Sequence, residues 1–134
     1  MRLLPGVTPL TQPYWDGARG HQLLIQRCSG CGHRWHPPLP RCPECHSASV
    51  DWIPVSGKGR VYTYTVVYHA THAAMADKVP YSAALIELEE GPRVLTNLRN
   101  CSEDTVQIGM PVSLIFEELT PEITLPQFEP ATQA

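Results

Sequence analysis

The chain of 134 residues has the length of one ordinary domain, and 43% of its residues are hydrophobic, as a globular fold requires. Its formal net charge of −3 is distributed unevenly: residues 1–60 contain seven Lys and Arg against three Asp and Glu, whereas residues 61–134 contain three against ten. An acidic C-terminal half argues against a general nucleic-acid binder, which needs a basic face. The basic N-terminal half is compatible with a small anionic ligand or an acidic partner surface.

No run of apolar residues approaches the roughly 20 that a membrane-spanning helix needs. The N-terminal sequence MRLLPGVTPLTQPYW is interrupted by Pro5, Pro9 and Pro13, and it therefore lacks the continuous apolar core of a signal peptide. We expect a cytoplasmic protein that does not associate with membranes. In the reducing cytosol, paired cysteines indicate metal ligands or redox groups before they indicate disulfides.

The predicted elements begin with an extended arm and a short helix in residues 1–22. The stretch TQPYWDGARG predicts about two helical turns, with Thr11 as N-cap, Pro13 in the first turn and Gly20 as the stop. Residues 23–56 form the next unit, in which HQLLIQRC and VDWIPV are typical of strands on either side of a cysteine-rich segment.

Residues 57–134 change to a period of two, which is typical of pleated strands. In RVYTYTVVYH this alternation predicts one face formed by Val61, Thr63, Thr65 and Val67, and an opposite face formed by Tyr62, Tyr64, Val66 and Tyr68. The stretch PYSAALIELEEGPRVLTNL predicts a hairpin that turns at EEGP, GMPVSLIFEEL predicts another strand, and ITLPQF predicts the last. These five short strands predict a small antiparallel barrel, and the fold class is mainly β.

Four of the five cysteines form two C-x-x-C pairs, Cys28 with Cys31 and Cys42 with Cys45. A structural zinc takes four thiolate or imidazole ligands in a tetrahedron, and two such pairs supply them. A redox dithiol would need a C-x-x-C at a helix start beside a parallel sheet, and a catalytic zinc would need an open coordination position. We therefore predict a structural zinc, while noting that a rubredoxin-type iron uses the same ligands.

Three arginines lie near these cysteines in the sequence: Arg27, Arg34 and Arg41. Four thiolates around a divalent ion leave about two negative charges. The arginines either offset that charge or bind an anionic ligand, and the sequence leaves both roles open. Cys101 stands apart from the pairs in RNCSED, and we interpret it as a structural cysteine.

A histidine pair and a row of tyrosines are two further candidate sites. His69 and His72 lie in a long connection between strands, and a pair three residues apart is able to bind metal or act as a base. No carboxylate motif accompanies them, which favours a role at a partner surface. The tyrosines at 62, 64 and 68 are able to stack on bases, but the absence of interleaved basic residues favours packing instead. No catalytic residue emerges.

In this order, the stretches PYWDGARGHQLLIQRCSGCG, HPPLPRCPEC, GKGRVYTYTVVYH, VPYSAALIELEEGPRVLTNL and IGMPVSLIFE resemble the acyl-CoA-associated OB-fold family with a rubredoxin-like zinc ribbon. This family was long known as a domain of unknown function. The resemblance covers roughly residues 13–129. It implies an N-terminal helix, a zinc ribbon and a five-stranded OB-fold barrel, with Cys28, Cys31, Cys42 and Cys45 matching the ribbon ligands position by position.

The resemblance also implies a protein that depends on a partner. Members of the family form hetero-oligomers with thiolase-fold enzymes that make or break carbon–carbon bonds of acyl-CoA thioesters, and others accompany MaoC-type hydratases in sterol side-chain breakdown. The partner carries the catalytic residues, while the small subunit bridges protomers, shapes the acyl-CoA site and in some complexes touches coenzyme A. We expect a noncatalytic accessory subunit of a lyase, aldolase or acyltransferase in steroid side-chain degradation. The alternative is an OB-fold protein that binds single-stranded nucleic acid.

The expected partner interface has two parts. Aromatic residues near the helix and the ribbon provide large contact areas with a polar handle, although internal packing of the helix on the ribbon is an equal alternative. The connection between the first two barrel strands is long, as functional loops often are, and the alternative interpretation is a merely mobile loop. The expected interface residues are Tyr14, Trp15, Trp35, His69, His72, Ala73, Ala74 and Met75.

Overall fold

The computed structural model describes residues 5–69, 73 and 80–131. One short helix, a three-stranded ribbon and a closed five-stranded barrel confirm the predicted fold class. The elements are α1 (Gln12–Arg19), β1 (Leu24–Cys28), β2 (Arg34–Trp35), β3 (Val50–Pro54), β4 (Lys58–Val67), β5 (Tyr81–Leu88), β6 (Arg93–Leu98), β7 (Pro111–Glu118) and β8 (Thr124–Pro130), with a 3₁₀ turn at Glu103–Thr105. The proposed unit limits, at 22/23 and 56/57, fall between elements.

The helix α1 begins and ends where the sequence predicts, but its caps differ from the expectation. Thr11 is the N-cap residue, yet its side chain makes no capping hydrogen bond to the helix. Its Oγ1 instead accepts from the backbone N–H of Thr8 at 3.0 Å. Gly20 is the C-cap, and the left-handed conformation that often follows a helix is adopted by His21, with φ of 61°.

The helix α1 packs closely on β1 and β8. A Cβ atom at Gly17 would lie 2.7 Å from the Leu24 side chain, a distance that real Cβ contacts do not show. Glycine at this position therefore allows the helix backbone to approach the first ribbon strand. Tyr14, on the same helix, packs against the barrel core, so the helix contacts both units.

The ribbon is an antiparallel sheet of strand order β2-β1-β3. The central strand β1 pairs with β3 from Leu24 to Cys28, and with the two-residue β2 through Gln26 and Arg27. The sequence pattern predicted β1 and β3. It did not predict β2, because two residues are too few for a periodic pattern.

The barrel has the strand order β4-β5-β6-β8-β7 and closes through pairing of β4 with β7. Neighbouring strands are antiparallel except β6 and β8, which pair in parallel at Leu98 and Phe128. Numbered within the barrel, this order is 1-2-3-5-4, the arrangement of an OB-fold. The predicted hairpin is present: β5 and β6 are joined by residues 89–92, the EEGP turn.

The strand β4 departs from strict alternation at one β-bulge. Its register against β5 shifts between Val61 and Thr63, so Tyr62 is the extra residue. Val61 is buried and Tyr64 packs against the core, whereas Thr63 and Thr65 are exposed. The faces predicted for this strand are therefore wrong from Thr63 onward, because a bulge adds a residue that a period of two does not include.

The main core lies in the barrel and continues into the ribbon. Among the described residues it contains eleven buried apolar side chains, and Phe128 at its centre is fully buried. Two of the eleven, Leu23 and Ile25, come from the segment that leads into and forms β1. The two units therefore share one hydrophobic core, and β1 connects it to the cysteines.

Candidate metal centre

The two C-x-x-C pairs form similar knuckles at one end of the ribbon. In the first, the N–H of Gly32 donates to the carbonyl of Cys28 at 2.9 Å, and in the second the N–H of His46 donates to the carbonyl of Cys42 at 2.9 Å. Gly32 and His46 each follow the second cysteine of a pair, and both have positive φ, of 80° and 65°. The chain thus makes the same tight turn twice, once with the glycine that this conformation favours and once with a histidine.

The two knuckles bring the four cysteine sulfurs together. All four Sγ atoms lie within 4.8 Å of one another, with 3.5 Å between Cys28 and Cys45 and 3.6 Å between Cys31 and Cys42. A tetrahedral ion with metal–sulfur bonds of about 2.3 Å places its sulfurs about 3.8 Å apart, so the four residues fit one ion. In the part of the chain that the structure describes, no other group of His, Cys, Asp or Glu has such geometry.

Backbone N–H groups favour the thiolate form of the first cysteine in each pair. The N–H of Cys31 donates to Cys28 Sγ at 3.4 Å and lowers the pKa of that thiol to about 6. Burial opposes ionisation of Cys42, but N–H groups of Cys45 and Glu44 donate to its sulfur and leave its pKa lowered. A lowered pKa favours the thiolate, and the thiolate is the form of cysteine that binds metal ions. These two sulfurs are therefore suited to bind a cation.

The three arginines near the cysteines have separate partners. Arg41 donates from Nη1 to the carbonyl of His46 at 3.3 Å, at the second knuckle. Arg27 lies 3.7 Å from the carboxylate of Asp51, on the neighbouring strand β3. Arg34 donates from Nη1 to a backbone carbonyl of the barrel, that of residue 90, at 3.4 Å. The arginines therefore do not converge on one anionic ligand.

Trp35 is an internal residue of the ribbon, with 6% of its surface exposed. It packs beside Cys28 and Cys42, and its Nε1 donates to Gln26 Oε1 at 2.6 Å. The backbone N–H of Leu39 donates to the same oxygen at 2.6 Å. Gln26, a buried polar side chain that accepts from two donors, was not predicted from the sequence. The signal was its position on the same face of a predicted strand as Leu24 and Cys28.

Tyr14 and Trp15 are neighbours on α1, and Tyr14 packs against the shared core. Their rings meet edge to face with centroids 4.9 Å apart, and the Tyr14 ring lies 5.6 Å from the ring of His36. Burial raises the pKa of Tyr14 to about 12 and lowers the pKa of His36 to about 4. Internal packing thus accounts for much of the contact area of the Tyr14 side chain, while Trp15 remains partly exposed.

The other expected interface residues lie in the connection between β4 and β5. His69 and Ala73 are exposed, and Tyr68 beside them is 72% exposed. His72, Ala74 and Met75 lie outside the described residues. The expected pairing of His69 with His72 therefore lies outside the described residues. Cys101, the fifth cysteine, is partly buried against the barrel core, as expected of a structural cysteine.

A four-cysteine ribbon joined to a closed barrel of order 1-2-3-5-4 defines this chain as a zinc-ribbon OB-fold protein. Two family models match its two parts, with a border inside β3. The model described as ChsH2, rubredoxin-like zinc ribbon domain, matches residues 15–51, and the model described as ChsH2, C-terminal OB-fold domain, matches residues 52–117.

Curated relatives identify the family. A DUF35 domain-containing scaffold protein of Methanocaldococcus jannaschii is 39% identical over 98 residues, which are 72% of this chain and 69% of that protein. The chain belongs to the DUF35 family of ribbon-plus-OB-fold proteins, which confirms the resemblance seen in the sequence.

Two further relatives carry names from acyl-CoA metabolism. The 3-oxo-4,17-pregnadiene-20-carboxyl-CoA hydratase alpha subunit of Mycobacterium tuberculosis is 38% identical over 87% of this chain and 36% of that protein. The benzoylsuccinyl-CoA thiolase subunit BbsA of Thauera aromatica is 34% identical over 62% of this chain and 55% of that protein. The chain spans 36% to 40% of the length of the curated hydratase alpha subunits that it matches.

One solved structure matches the fold along nearly the whole chain. A chain of the Ltp2-ChsH2(DUF35) aldolase superposes with a TM-score of 0.88 and is 42% identical. The match covers 96% of this chain and 100% of that chain. The ribbon and the barrel are therefore arranged in this protein as they are in a chain of that aldolase.

Proposed function

We propose that this protein is a noncatalytic scaffold subunit of a thiolase-fold acyl-CoA enzyme, a lyase, aldolase or acyltransferase. It bridges the subunits of the partner and shapes the partner's acyl-CoA site. Its ribbon holds one structural zinc through Cys28, Cys31, Cys42 and Cys45. The proposal places the complex in the cytoplasm, where these thiols stay reduced. No helix within the described residues has both the length and the apolar content to cross a membrane.

The match to a chain of the Ltp2-ChsH2(DUF35) aldolase is the observation that carries this proposal. At 42% identity over nearly the whole chain, it indicates shared surfaces as well as a shared fold. The chemistry of the chain agrees: its metal centre uses four cysteines, which leave a metal no open position for substrate. An enzyme site would need an activated nucleophile or an acid and base in one cleft.

The names of the relatives support acyl-CoA thioesters as the substrate class of the partner enzyme. The BbsA relative supports a thiolase partner, and the hydratase alpha subunit supports a MaoC-type hydratase as a second partner. That hydratase relative also supports steroid side chains as the acyl group, because its name is that of a steroid-derived acyl-CoA. Contact between this subunit and coenzyme A itself is part of the proposal, since the subunit shapes the acyl-CoA site.

The alternative of a single-strand nucleic-acid binder is less well supported. Such proteins line a barrel groove with cations and with aromatic rings on which bases stack. In this barrel the ring of Tyr62 is covered by the guanidinium of Arg93 at 3.8 Å, and Tyr64 packs against the core. The C-terminal half also has an excess of seven acidic residues, which would repel a phosphate backbone.

The proposal is tested with purified Ltp2 of the solved aldolase. Light scattering coupled to size exclusion will measure complex formation, and acyl-CoA cleavage will be assayed for each protein alone and for the mixture. We expect a stable hetero-oligomer and no cleavage by this chain alone, with higher turnover in the mixture than with Ltp2 alone. Cleavage by this chain alone, or the absence of a complex, would contradict the proposal.

A further inference from the structure

We propose that the metal centre is a redox switch, in which peroxide replaces the bound ion by two disulfides, Cys28–Cys45 and Cys31–Cys42. In the oxidised state the ion is released, and covalent bonds keep the two knuckles joined. The switch involves these four cysteines alone and does not depend on the scaffold function.

Each knuckle contains one buried and one exposed cysteine. Cys28 and Cys42, the first cysteines of the two pairs, are 0% and 1% exposed, whereas Cys31 and Cys45 are exposed. The residues before and after each exposed cysteine are exposed as well, and a Cβ atom added at Gly32 would meet no atom within 4 Å. The oxidation of a cysteine depends on its exposure and its thiolate character. A small oxidant in solution therefore reaches one metal-binding cysteine in each knuckle.

Two short distances between sulfur atoms connect one knuckle to the other. Cys28 Sγ lies 3.5 Å from Cys45 Sγ, and Cys31 Sγ lies 3.6 Å from Cys42 Sγ. Each of these two pairs combines an exposed cysteine, which meets the oxidant, with a buried cysteine, which completes the disulfide. A disulfide has about 2.05 Å between its sulfurs, so each pair closes by a movement of about 1.5 Å.

A disulfide between the knuckles replaces the ion as a link, whereas a disulfide within one C-x-x-C pair leaves the two knuckles unconnected. The proposed bonds join residues that are 17 and 11 positions apart in the chain. Such bonds restrict the unfolded chain and thereby stabilise the folded ribbon. Cys28 is the last residue of β1, so its bond to Cys45 also attaches that strand to the connection that precedes β3.

Each disulfide forms in two steps that consume one hydrogen peroxide. The exposed thiolate attacks one peroxide oxygen, the O–O bond breaks, hydroxide leaves, and the sulfur becomes a sulfenic acid. The buried thiolate then attacks this sulfur, the S–O bond breaks, and a second hydroxide leaves. Two thiolates thus lose two electrons, and the peroxide ends as two waters once the hydroxides are protonated. Because disulfide sulfurs are no longer thiolate ligands, zinc leaves as the aqueous ion.

The switch is reversible in the compartment proposed for the protein. Cytosolic thiols reduce disulfides by exchange, and the four thiolates are then restored as metal ligands. The zinc form is therefore the resting state, and the disulfide form exists while peroxide is present. Because the ribbon stays closed in both states, oxidation releases the ion without separating the knuckles.

The test treats the zinc-loaded full-length chain with hydrogen peroxide and maps its disulfides. Trypsin cleaves after Arg and Lys, so the cysteines of each knuckle fall on one peptide, residues 28–34 for the first and 42–58 for the second. We expect mass spectrometry without reduction to find these two peptides joined, and fragmentation to give the linkages Cys28–Cys45 and Cys31–Cys42. A colorimetric chelator should detect about one zinc released per chain. Dithiothreitol with added zinc should restore the loaded form.

Hydrogen exchange separates the proposed switch from simple loss of metal. The amides of Gly32 and His46, which donate to carbonyls within the knuckles, should exchange rapidly in reduced chain stripped of zinc. In the oxidised chain they should exchange at least about tenfold more slowly, because the disulfides hold the knuckles closed. Equal exchange in the two forms would overturn the proposal.

Cys101→Ser is the control, because it removes the fifth thiol and leaves the four metal-binding cysteines in place. It should release the same amount of zinc and give the same joined peptides as the wild-type chain. Separate peptides 28–34 and 42–58, disulfides to Cys101, sulfinic acids in place of disulfides, or retention of zinc in excess peroxide would each overturn the switch. None of these results alters the scaffold function, which is tested by complex formation.

Discussion

The ribbon and the barrel are stabilised in different ways. Among the described residues, the core that the barrel shares with the start of the ribbon contains eleven buried apolar side chains, whereas the separate ribbon cluster contains three, two of which are the cysteines Cys28 and Cys42. Burial of apolar area stabilises the first unit, and only a bound ion supplies a comparable contribution in the second. A metal centre is therefore needed in the ribbon, because that segment is too short to build a hydrophobic core of its own.

The strand β1 joins these two sources of stability. Ile25 lies in the shared core, and Cys28, three residues later in the same strand, is one of the four cysteines with metal-binding geometry. Loss of the metal should therefore disorder the knuckles first and reach the barrel only through the end of β1. Substitutions in each unit test this division.

The largest effect is expected from Cys42→Ser. Removing a buried ligand leaves three sulfurs, and structural zinc contributes on the order of 10 kcal/mol or more to the folding of such sites. We expect zinc content to fall from about one ion per chain to near zero, as four cysteines imply, with loss of ribbon structure. Elemental analysis and near-ultraviolet circular dichroism are the measurements. Cys101→Ser is the matched control, and it should retain the metal.

A large loss of barrel stability is expected from Phe128→Ala, which removes the largest fully buried side chain. Truncation of a buried phenylalanine costs about 3–5 kcal/mol of unfolding free energy. Urea denaturation will measure it, with Ile108→Ala as an exposed control that should change stability by less than about 0.5 kcal/mol. Zinc content should be unchanged in both variants while they remain folded. Loss of zinc from folded Phe128→Ala would show that the metal centre depends on the barrel core.

A smaller effect within the ribbon is expected from Trp35→Phe. The substitution removes the indole donor to Gln26 but leaves the donor of Leu39, so the amide oxygen stays satisfied. The expected loss is about 1 kcal/mol, the value of one hydrogen bond. Gln26→Leu should cost more, because it leaves the buried indole N–H of Trp35 without an acceptor and also removes the acceptor of the partly buried N–H of Leu39. Equal losses in the two variants would mean that the shared oxygen has no special role.

The smallest effect concerns pH. Burial lowers the pKa of His36 to about 4, below its value of about 6.5 in the unfolded chain. The unfolded state therefore binds the proton first, and the stabilisation is complete above about pH 6.5 and is lost as pH falls toward 4. Between pH 7.5 and 6.0, we expect wild-type protein to lose about 0.8 kcal/mol more than His36→Gln. Parallel stability profiles of the two proteins would contradict this assignment.

Much of the fold was accessible from the sequence because its signals are local. The spacing of Cys28, Cys31, Cys42 and Cys45 predicts the metal centre, since each C-x-x-C knuckle is a local structure. The EEGP turn likewise predicts the hairpin of β5 and β6. What the sequence did not predict depends on pairing across strands. The bulge at Tyr62 and the role of Gln26 both arise from contacts with other segments.

Hydrogen exchange before and after removal of the metal is the most direct test of the claim that the ribbon is held by its ion and the barrel by its core. After treatment with a strong chelator, we predict rapid exchange of the knuckle amides, including Cys28, Gly32, Cys42 and His46, which are hydrogen-bonded in the structure. Amides of β4 to β8 should remain protected. Unchanged protection of the knuckles, or collapse of protection in the whole barrel, would contradict the account.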